Sequence, residues 1–401
     1  MTRLPETFPL RLTGAALTAL AVALSVGCGV GTADQDRGGG AAGPISPTSV
    51  DSPPQAATDP TLLPGMPPPL DPDDVYAATR DGLAPAVRGY PELIYVPNGA
   101  AGTVSVIDPK TAKVIGTYPA GKVPQHVVPS YDLKTLWVNS SGSNTLTKMD
   151  PATGKVVETI SVDDPYNLYF TPDGKDAVVM AERLRRIDFR DPETMELRAS
   201  LKTPCVGVNH ADFSREGRTF VASCEFSGEL LLVDTAARSL LRKITLPEGS
   251  KPQDVKLSPD GTTYFVADLN RDGLVLLDAA TFEVTGFLKT GAGAHGLYTS
   301  RDSRDLYVTN REEGSVSIVD LATRTVRTTH RLPRGASPDM GNLSGDGTTL
   351  WLSSRYGSDI YALDMTTGQT TATVRVGSGP HGLTVYPQPG RYSLGHTGIL
   401  R

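Results

Sequence analysis

Three observations predict an all-β fold, a seven-bladed β-propeller of four-stranded antiparallel blades. A unit of about 42 residues repeats along most of the chain. Each unit contains four short runs in which β-branched and aromatic residues alternate with polar ones. Turn sequences such as "SPDG" (residues 258–261) and "TPDG" (residues 171–174) separate the runs. Four short strands in a repeat of this length form one propeller blade.

A recurrent aspartate gives the number of blades. It closes the third run of each unit, at intervals of 41 to 44 residues. An aspartate in this kind of turn accepts backbone N–H hydrogen bonds and fixes the connection between the two outer strands. We therefore interpret all seven as structural: Asp108, Asp150, Asp191, Asp234, Asp278, Asp320 and Asp364.

The two ends of the repeat indicate how the ring closes. The first unit begins at "LIYVPN" (residues 93–98) and lacks its first strand. The last stretch, "PHGLTVYP" (residues 380–387), is a first strand without the other three. The C-terminal strand is therefore predicted to complete the N-terminal blade, which would leave the ring without an open edge.

The N-terminal region is predicted to be an export signal followed by a linker. Residues 1–27 combine two arginines with a short apolar run and small residues, the pattern of a signal peptide. The end "SVGC" resembles a lipobox that would lipidate Cys28, although Leu24 stands one place early; cleavage without lipidation, giving a secreted protein, is the alternative. Residues 28–85 are rich in Pro, Gly and Ser and are predicted to be a flexible tether, with a brief helix within residues 71–80. The propeller is predicted over residues 86–401.

The charge and hydrophobic content of the chain limit the kinds of partner that it is expected to bind. The 401 residues carry a net charge of -6 and show no basic footprint, so a nucleic-acid partner is not expected. Only 6% of the residues are aromatic and 39% are hydrophobic, and the signal peptide holds the one long apolar run. We expect membrane contact only through the lipid, on the outer face of a bacterial cytoplasmic membrane. A small molecule or protein would bind at the propeller face.

The repeat resembles a known family. "LYVTN" (residues 306–310), "SPDG" and "VSIVDLATRTV" (residues 316–326) are similar to the YVTN family of β-propeller repeats. That family is similar to the propellers of haem d1 nitrite reductases and of the methylamine dehydrogenase heavy chain. The resemblance implies the fold, but such propellers have unrelated activities. The chain has no C-x-x-C-H motif, so c-type haem is not expected.

Histidines concentrate at one position of the repeat. Four of the six fall in look-alike stretches such as "GSGPHGLTVYP" and "GAGAHGLYTS". The first strand of each blade lines the central channel, so this position should form a ring at one mouth. Asp339, beside Met340, could join the ring after a slip of one residue. His330 lies in an outer strand and His396 in the tail, and neither is expected to join. The aligned residues are His126, Asn167, His210, Asp254, His295, Met340 and His381.

Two interpretations of this ring remain open at the sequence level. In one, each histidine hydrogen-bonds a neighbouring blade and fixes blade spacing. In the other, two to four neutral imidazoles, with Asp254, bind a divalent metal ion or an anionic ligand. The histidines are two blades apart, so one shared ion would require a channel that narrows at the mouth.

The second strands end near the same mouth and supply a candidate outer shell. Its members are Glu182, Glu225, Asp268, Arg311 and Arg355, with Asn310 at one strand end. A solvated rim is the alternative interpretation of these charged side chains.

Two classes of function fit the sequence. The first is a tethered binding or scaffold module with its ligand at the ringed mouth. The second is a propeller enzyme, a lyase or a metal-dependent oxidoreductase, that uses the same histidines. The "PHG" strands resemble those of the virginiamycin B lyase family, but no catalytic residue can be carried over.

The two cysteines of the propeller, Cys205 and Cys224, flank a hairpin that turns at "SREG" (residues 214–217). Antiparallel pairing about that turn places them across one ladder. Export to an oxidising compartment then predicts a disulfide. A thiolate metal site shared with His210 is the alternative.

Overall fold

The computed structural model describes residues 59–396 and 399–401. The predicted signal peptide, Cys28 and most of the predicted tether lie outside these residues. Within them the chain forms seven four-stranded antiparallel sheets, which confirms the all-β propeller. Helical structure in the described ranges consists of two short 3₁₀ helices, Ala77–Arg80 and Pro85–Val87. No helix in these ranges is long and apolar enough to cross a membrane.

The strands follow the chain order, four to a blade, from the channel outward. Blade 1 contains β1 (Leu93–Asn98), β2 (Thr103–Asp108) and β3 (Lys113–Pro119); blade 2 contains β4 (Pro124–Pro129), β5 (Leu136–Ser140), β6 (Thr145–Asp150) and β7 (Lys155–Ser161). Blade 3 contains β8 (Asn167–Phe170), β9 (Ala177–Ala181), β10 (Arg186–Arg190) and β11 (Leu197–Lys202). Blade 4 contains β12 (Val208–Phe213), β13 (Thr219–Cys224), β14 (Glu229–Asp234) and β15 (Ser239–Thr245).

The remaining blades repeat this order. Blade 5 contains β16 (Pro252–Leu257), β17 (Thr263–Asp268), β18 (Gly273–Asp278) and β19 (Val284–Lys289); blade 6 contains β20 (Ala294–Thr299), β21 (Asp305–Asn310), β22 (Ser315–Asp320) and β23 (Thr325–Arg331). Blade 7 contains β24 (Pro338–Leu343), β25 (Thr349–Ser354), β26 (Asp359–Asp364) and β27 (Thr370–Arg375). The last strand is β28 (Thr384–Tyr386).

The ring closes as the sequence predicts. β28 pairs antiparallel with β1, with Ile94 opposite Val385, so blade 1 has the order β28-β1-β2-β3. A hydrophobic cluster that includes Ile94, Val385 and Ile360 joins blade 1 to blade 7. Closure therefore combines backbone pairing with apolar packing.

The hydrophobic core is divided among the interfaces between blades. Each apolar cluster contains residues of two neighbouring sheets, as where Val221 of blade 4 packs with Val255 and Tyr264 of blade 5. The first and second strands are almost wholly buried, whereas outermost strands such as β7 are mostly exposed. The buried inner strands carry polar as well as apolar side chains, such as Gln125 and His126 in β4.

The seven aspartates are structural, as predicted. Each carboxylate accepts hydrogen bonds from the turn that follows it; Asp320, for example, accepts from Thr323 N at 2.7 Å and Thr323 Oγ1 at 2.9 Å. The same pattern occurs at Asp108, Asp150, Asp191, Asp234, Asp278 and Asp364.

The predicted flexible tether is wrong for residues 59–85. Tyr76 is 3% exposed, and its hydroxyl donates to Asp212 Oδ2 or Leu257 O, at 3.1 and 2.9 Å. The backbone N–H of Val75 donates to Pro259 O at 2.8 Å. A few apolar residues in a polar, proline-rich stretch are enough for this segment to pack on a finished propeller, although they would not form a core by themselves.

Cys205 and Cys224 form the predicted disulfide. Both sulfurs belong to the apolar cluster between blades 3 and 4. The bond ties the approach to β12 to the end of β13, beside Glu225. Its place in the interior leaves no role for these cysteines as metal ligands.

Candidate functional site

The side chains at the channel end come from two successive positions at or just before the start of each first strand. In blades 2, 4, 5, 6 and 7 the first strand carries a β-bulge at its start, where one extra residue breaks the pairing with the second strand. A bulge redirects side chains, so two neighbouring residues of one strand can reach the same site.

These two positions make two rows. The first row, nearer the strand starts, holds Gln125, Tyr166, Asn209, Gln253, His295, Asp339 and His381. The second row, one residue further along, holds His126, Asn167, His210, Asp254, Gly296, Met340 and Gly382. The single ring predicted from sequence mixed the rows, because His295 and His381 belong to the first and the other members to the second.

The structure confirms that Asp339, one residue before Met340, supplies the side chain of blade 7 that reaches the histidines. Its carboxylate lies 3.3 Å from His295 Nδ1 and 3.3 Å from His381 Nε2. Met340 instead lies behind, where its sulfur is 3.9 Å from the Tyr298 hydroxyl. The ring position of blade 7 is therefore acidic rather than apolar.

Five histidines form one buried group, the histidine cluster: His126, His210, His295, His381 and His396. Ring centroids are 5.6 Å apart for His126 and His210, and 4.7 Å for His126 and His381. They are 6.1 Å apart for His210 and His295, and 6.5 Å for His295 and His381. The channel is therefore narrow enough for histidines two blades apart to touch. Each is at most 1% exposed.

The expectation that His396 stays outside is wrong. After β28 the chain returns beneath the channel, where the N–H of His396 donates to Leu168 O at 2.9 Å. Its ring centroid lies 5.1 Å from that of His126 and 5.0 Å from that of His210. The tail lacks the repeat pattern, so alignment of the repeats had no means of placing it. His330 lies in β23, away from the cluster, as expected.

Hydrogen bonds fix the protonation of several rings. His210 Nδ1 lies 3.0 Å from Asn209 Oδ1, and His381 Nδ1 lies 2.9 Å from Gln125 Oε1. An amide oxygen only accepts, so each Nδ1 carries the proton and each Nε2 carries a lone pair. Neither nitrogen of His126 has a hydrogen-bond partner among the described residues, and the same holds for His210 Nε2.

His396 is held differently. The Asn167 amide donates to its Nδ1 at 3.0 Å, and its Nε2 lies 3.5 Å from Asp254 Oδ1. Asn167 Oδ1 accepts from Leu168 N at 2.9 Å, which fixes the orientation of that amide. Asp254 also accepts from the backbone N–H of Val255 and Leu297, both at 3.0 Å. Asn167 and Asp254 therefore position His396 and brace blade 5 against blade 6.

Burial sets the charges in the site. It lowers the pKa of His126, His295 and His381 well below the ordinary histidine value, and that of His210 to about 3. Burial opposes ionisation of Asp254, but His396, Lys256 and His210 together outweigh it and bring the pKa of this carboxyl to about 2. At neutral pH the site therefore contains four neutral imidazoles, those of His126, His210, His295 and His381, with the ionised carboxylate of Asp254 beside them.

The predicted outer shell is only partly assembled. Arg311 and Arg355 both form ion pairs with Asp339, the Arg355 pair at 3.6 Å. Glu182 and Glu225 meet at Asn209, whose amide lies 3.5 and 2.8 Å from them, and Lys251 pairs with Glu225 at 3.1 Å. Asp268 instead accepts from Lys251 N at 2.9 Å and holds the loop at its own strand end.

Burial, with Glu225 close by, raises the pKa of Glu182 to about 7. At neutral pH this carboxyl therefore exchanges its proton readily, which suits a general acid or base. Arg311 and Arg355 lie around Asp339, so the rim has an acidic side and a basic side.

Tyr166 belongs to the site and was missed by sequence reasoning. Its ring packs on His126, His210 and His381 at 5.6, 6.0 and 6.3 Å between centroids, and it is 9% exposed. Burial raises the pKa of its hydroxyl well above the ordinary value. Its place one residue before Asn167 was a usable signal, because the same place holds His295, Asp339 and His381 in other blades.

Two groups of side chains bring donor atoms within 4.8 Å of one another: His126, His210 and His396, and His295, Asp339 and His381. All six residues are buried. Histidine and carboxylate donors at this separation are the arrangement that binds transition-metal ions.

Comparison with known proteins agrees with the architecture. Residues 75–390 match the model of the YNCE-like beta-propeller family. The chain belongs to this family. It is 25% identical over 276 residues to the uncharacterized protein YncE of Salmonella typhi, which covers 63% of this chain and 74% of that protein. The match confirms the resemblance to repeat propellers inferred from "LYVTN" and its companions.

Solved structures show the same fold at low sequence identity. Kuenenia stuttgartiensis hydrazine synthase aligns with a TM-score of 0.57 and 20% identity, over 70% of this chain and 92% of that one. A functionally unknown protein from Desulfotomaculum acetoxidans aligns with a TM-score of 0.62 and 16% identity, over 72% of this chain and 98% of that one. The dihydro-haem d1 dehydrogenase NirN aligns with a TM-score of 0.56 and 14% identity, over 79% of this chain and 78% of that one. This alignment supports the expected likeness to haem d1 propellers. At these identities the likeness concerns the fold alone.

Proposed function

We propose that this protein is an exported, lipid-anchored binding propeller that holds a small ligand at the histidine cluster. The observation that carries the proposal is His126, which is fully buried while neither ring nitrogen has a hydrogen-bond partner among the described residues. Leaving a buried polar group unpaired costs about 1–3 kcal/mol. Such groups in one spot are typical of a site completed by a ligand.

The surroundings support a ligand rather than a purely structural ring. A ring that only fixed blade spacing would pair each imidazole with the next blade, as His381 of blade 1 pairs with Gln125 of blade 2. His126 and His210 Nε2 are not paired in this way. The acidic and basic sides of the rim add groups that would orient an approaching polar ligand.

Export is supported by the disulfide. Cys205 and Cys224 are bonded in the interior, and disulfides persist in oxidising compartments.

The lipid anchor at Cys28 is part of the proposal. Labelling cells with radioactive palmitate should mark the wild type and not Cys28→Ala, and the variant should leave the membrane fraction. An unlabelled wild type would refute the anchor and leave a secreted protein.

Native mass spectrometry of the protein purified without chelator tests the binding function. We expect a mass above that of the polypeptide, lost on denaturation. The His126→Gln and His210→Gln double variant should lose the adduct, whereas the His330→Gln control should keep it. A wild type without an adduct, even after exposure to cell extract, would contradict the proposal.

The raised pKa of Glu182 favours a second candidate function, an enzyme that acts at the same cluster as a lyase or a metal-dependent oxidoreductase. A carboxyl with a pKa of about 7 is suited to proton transfer at neutral pH. The ligand identified by mass spectrometry would be incubated with excess wild type and with Glu182→Gln. Conversion by the wild type alone supports the enzyme, and recovery of unchanged ligand from both supports the binding module.

A further inference from the structure

We propose that His295, Asp339 and His381 form a mononuclear centre for a divalent first-row transition-metal ion, an inference that rests on the proposed function and places a metal ion beside the ligand held by His126 and His210. Among the described residues this group combines two imidazole nitrogens and a carboxylate at a spacing suited to one ion.

The spacing fits one ion. His295 Nδ1 and His381 Nε2 each lie 3.3 Å from a carboxylate oxygen of Asp339, and all three donor atoms lie within 4.8 Å. Ligands bound at about 2.0–2.1 Å in a tetrahedral site stand about 3.3 Å from one another. Each nitrogen-to-oxygen separation has that value, His295 Nδ1 to Asp339 Oδ1 and His381 Nε2 to Asp339 Oδ2. One ion could therefore be bound after a small rotation of the carboxylate.

The tautomer of His381 leaves a lone pair for a cation. The Nδ1–H of His381 donates a hydrogen bond to Gln125 Oε1 at 2.9 Å, and the Gln125 amide donates to Ser141 Oγ at 3.3 Å. The lone pair of His381 Nε2 therefore faces Asp339 Oδ2 at 3.3 Å, and His295 Nδ1 lies 3.3 Å from Asp339 Oδ1. A lone pair and a carboxylate repel one another, and a cation between them, in addition to the guanidinium of Arg311 at this carboxylate, would remove the repulsion.

The donor types indicate the class of ion. Imidazole with one carboxylate suits iron(II), zinc, copper and related ions better than magnesium or calcium.

Arg311 and Arg355 support the centre through Asp339. Both guanidinium groups pair with its carboxylate and fix its orientation, as partners of metal-ligating carboxylates generally do. Their positive charge weakens the attraction for a cation but favours an anion in the remaining coordination positions. Three protein ligands leave at least one such position open.

The second group of donor atoms, from His126, His210 and His396, is less suited to a metal ion. Both ring nitrogens of His396 already have partners, because Asn167 donates to Nδ1 and Asp254 lies beside Nε2. Binding an ion there would break one of these buried contacts. His126 and His210 thus remain as neutral imidazoles beside the proposed centre.

Titration of the metal-free protein with Co²⁺ alone tests the proposal, because the visible absorption of this ion reports its ligands. We expect one Co²⁺ per chain. Asp339→Asn, His295→Gln and His381→Gln should each weaken binding by about 100-fold or more, since even supporting residues are worth 10- to 100-fold. The control His330→Gln, in the outer strand β23, should keep the stoichiometry and stay within a few fold in Kd. Circular dichroism and melting temperature establish that each variant is folded.

Proton NMR of the Co²⁺-loaded wild type gives an answer that does not depend on any variant. Two exchangeable, strongly shifted imidazole N–H signals are expected, from His295 and His381. Three such signals would place the ion among His126, His210 and His396 and overturn the assignment.

The titration has an equivalent contradicting outcome. Loss of Co²⁺ binding in His210→Gln but not in Asp339→Asn would also place the ion in that second group.

Failure of this inference is separable from failure of the proposed function. A wild type that carries an organic adduct lost with His126 and His210, yet binds no Co²⁺, would overturn the metal centre and leave the binding function standing. A wild type with neither adduct nor Co²⁺ binding would overturn both.

Discussion

Acidification from pH 7.5 to 5.5 should destabilise the metal-free protein, because four buried histidines are held neutral. Burial lowers the pKa of His126, His210, His295 and His381 in the folded state, whereas in the unfolded chain they return to about 6.5. Below pH 6.5 only the unfolded state takes up these protons. The stabilisation is thus complete above pH 6.5 and is lost as the pH falls.

The size of the effect follows from proton linkage. At pH 5.5, one unit below the unfolded pKa, each histidine costs about 1.4 kcal/mol of unfolding free energy, and four cost about 5 kcal/mol. Glu182 acts in the opposite direction: its pKa is raised to about 7 in the folded state, so it gains stability as it takes up its proton. This gain is about 2 kcal/mol over the same interval. The histidines outweigh it and leave a net loss of about 3 kcal/mol.

Urea unfolding in the presence of EDTA at the two pH values measures this loss. His210→Gln should reduce the histidine contribution by about one quarter, and Glu182→Gln should increase the net loss to about 5 kcal/mol. His330→Gln, in the outer strand β23, should leave the pH dependence of the wild type unchanged. Equal stability of the wild type at both pH values would show that the cluster takes up protons freely and would refute the burial argument.

Three further perturbations test the fold and the packing of the site. Replacing Cys205 and Cys224 together by serine should cost about 3 kcal/mol in urea unfolding, since the bond closes a loop with a sequence separation of 19 residues; a cost near zero would show that the bond does not form in solution. Deleting the residues after Gly379 removes β28 and should lower the melting temperature clearly, and an unchanged value would disprove closure by that strand. Gly382→Ala should destabilise by about 1–3 kcal/mol, because the new Cβ would lie 2.0 Å from His126 Nδ1. Gly286→Ala, where a Cβ meets nothing within 4 Å, should be tolerated, and equal effects of the two would count against the packing at His126.

The fold was predictable because its signals are local and repeated. The spacing of the turn aspartates gave the number of blades, and the incomplete units at the two ends gave the closure of the ring. The disulfide followed from antiparallel pairing about one turn. The blade count and the disulfide need only strands that are neighbours in sequence, and the closing pair of β28 with β1 is the one long-range contact that the repeat itself indicates.

The site was predictable only in part, because its geometry depends on features without a sequence period. Bulges at the strand starts bring two rows of side chains to the channel, so Tyr166 and Asp339 share a position with His295 that alignment by spacing alone did not show. His396 arrives from the tail, and Tyr76 from a stretch that resembles a linker. Both are held by contacts with residues distant in sequence, which no repeat spacing reveals.

An anomalous-scattering diffraction measurement on crystals of the protein purified without chelator tests the central claim most directly. Data collected on both sides of the absorption edge of the metal found by elemental analysis would locate the ion. We expect one peak about 2.0–2.3 Å from His295 Nδ1, His381 Nε2 and an Asp339 oxygen. A histidine cluster without a peak, after soaking in Co²⁺ as well, or a peak bound only by residues outside the cluster, would contradict the account.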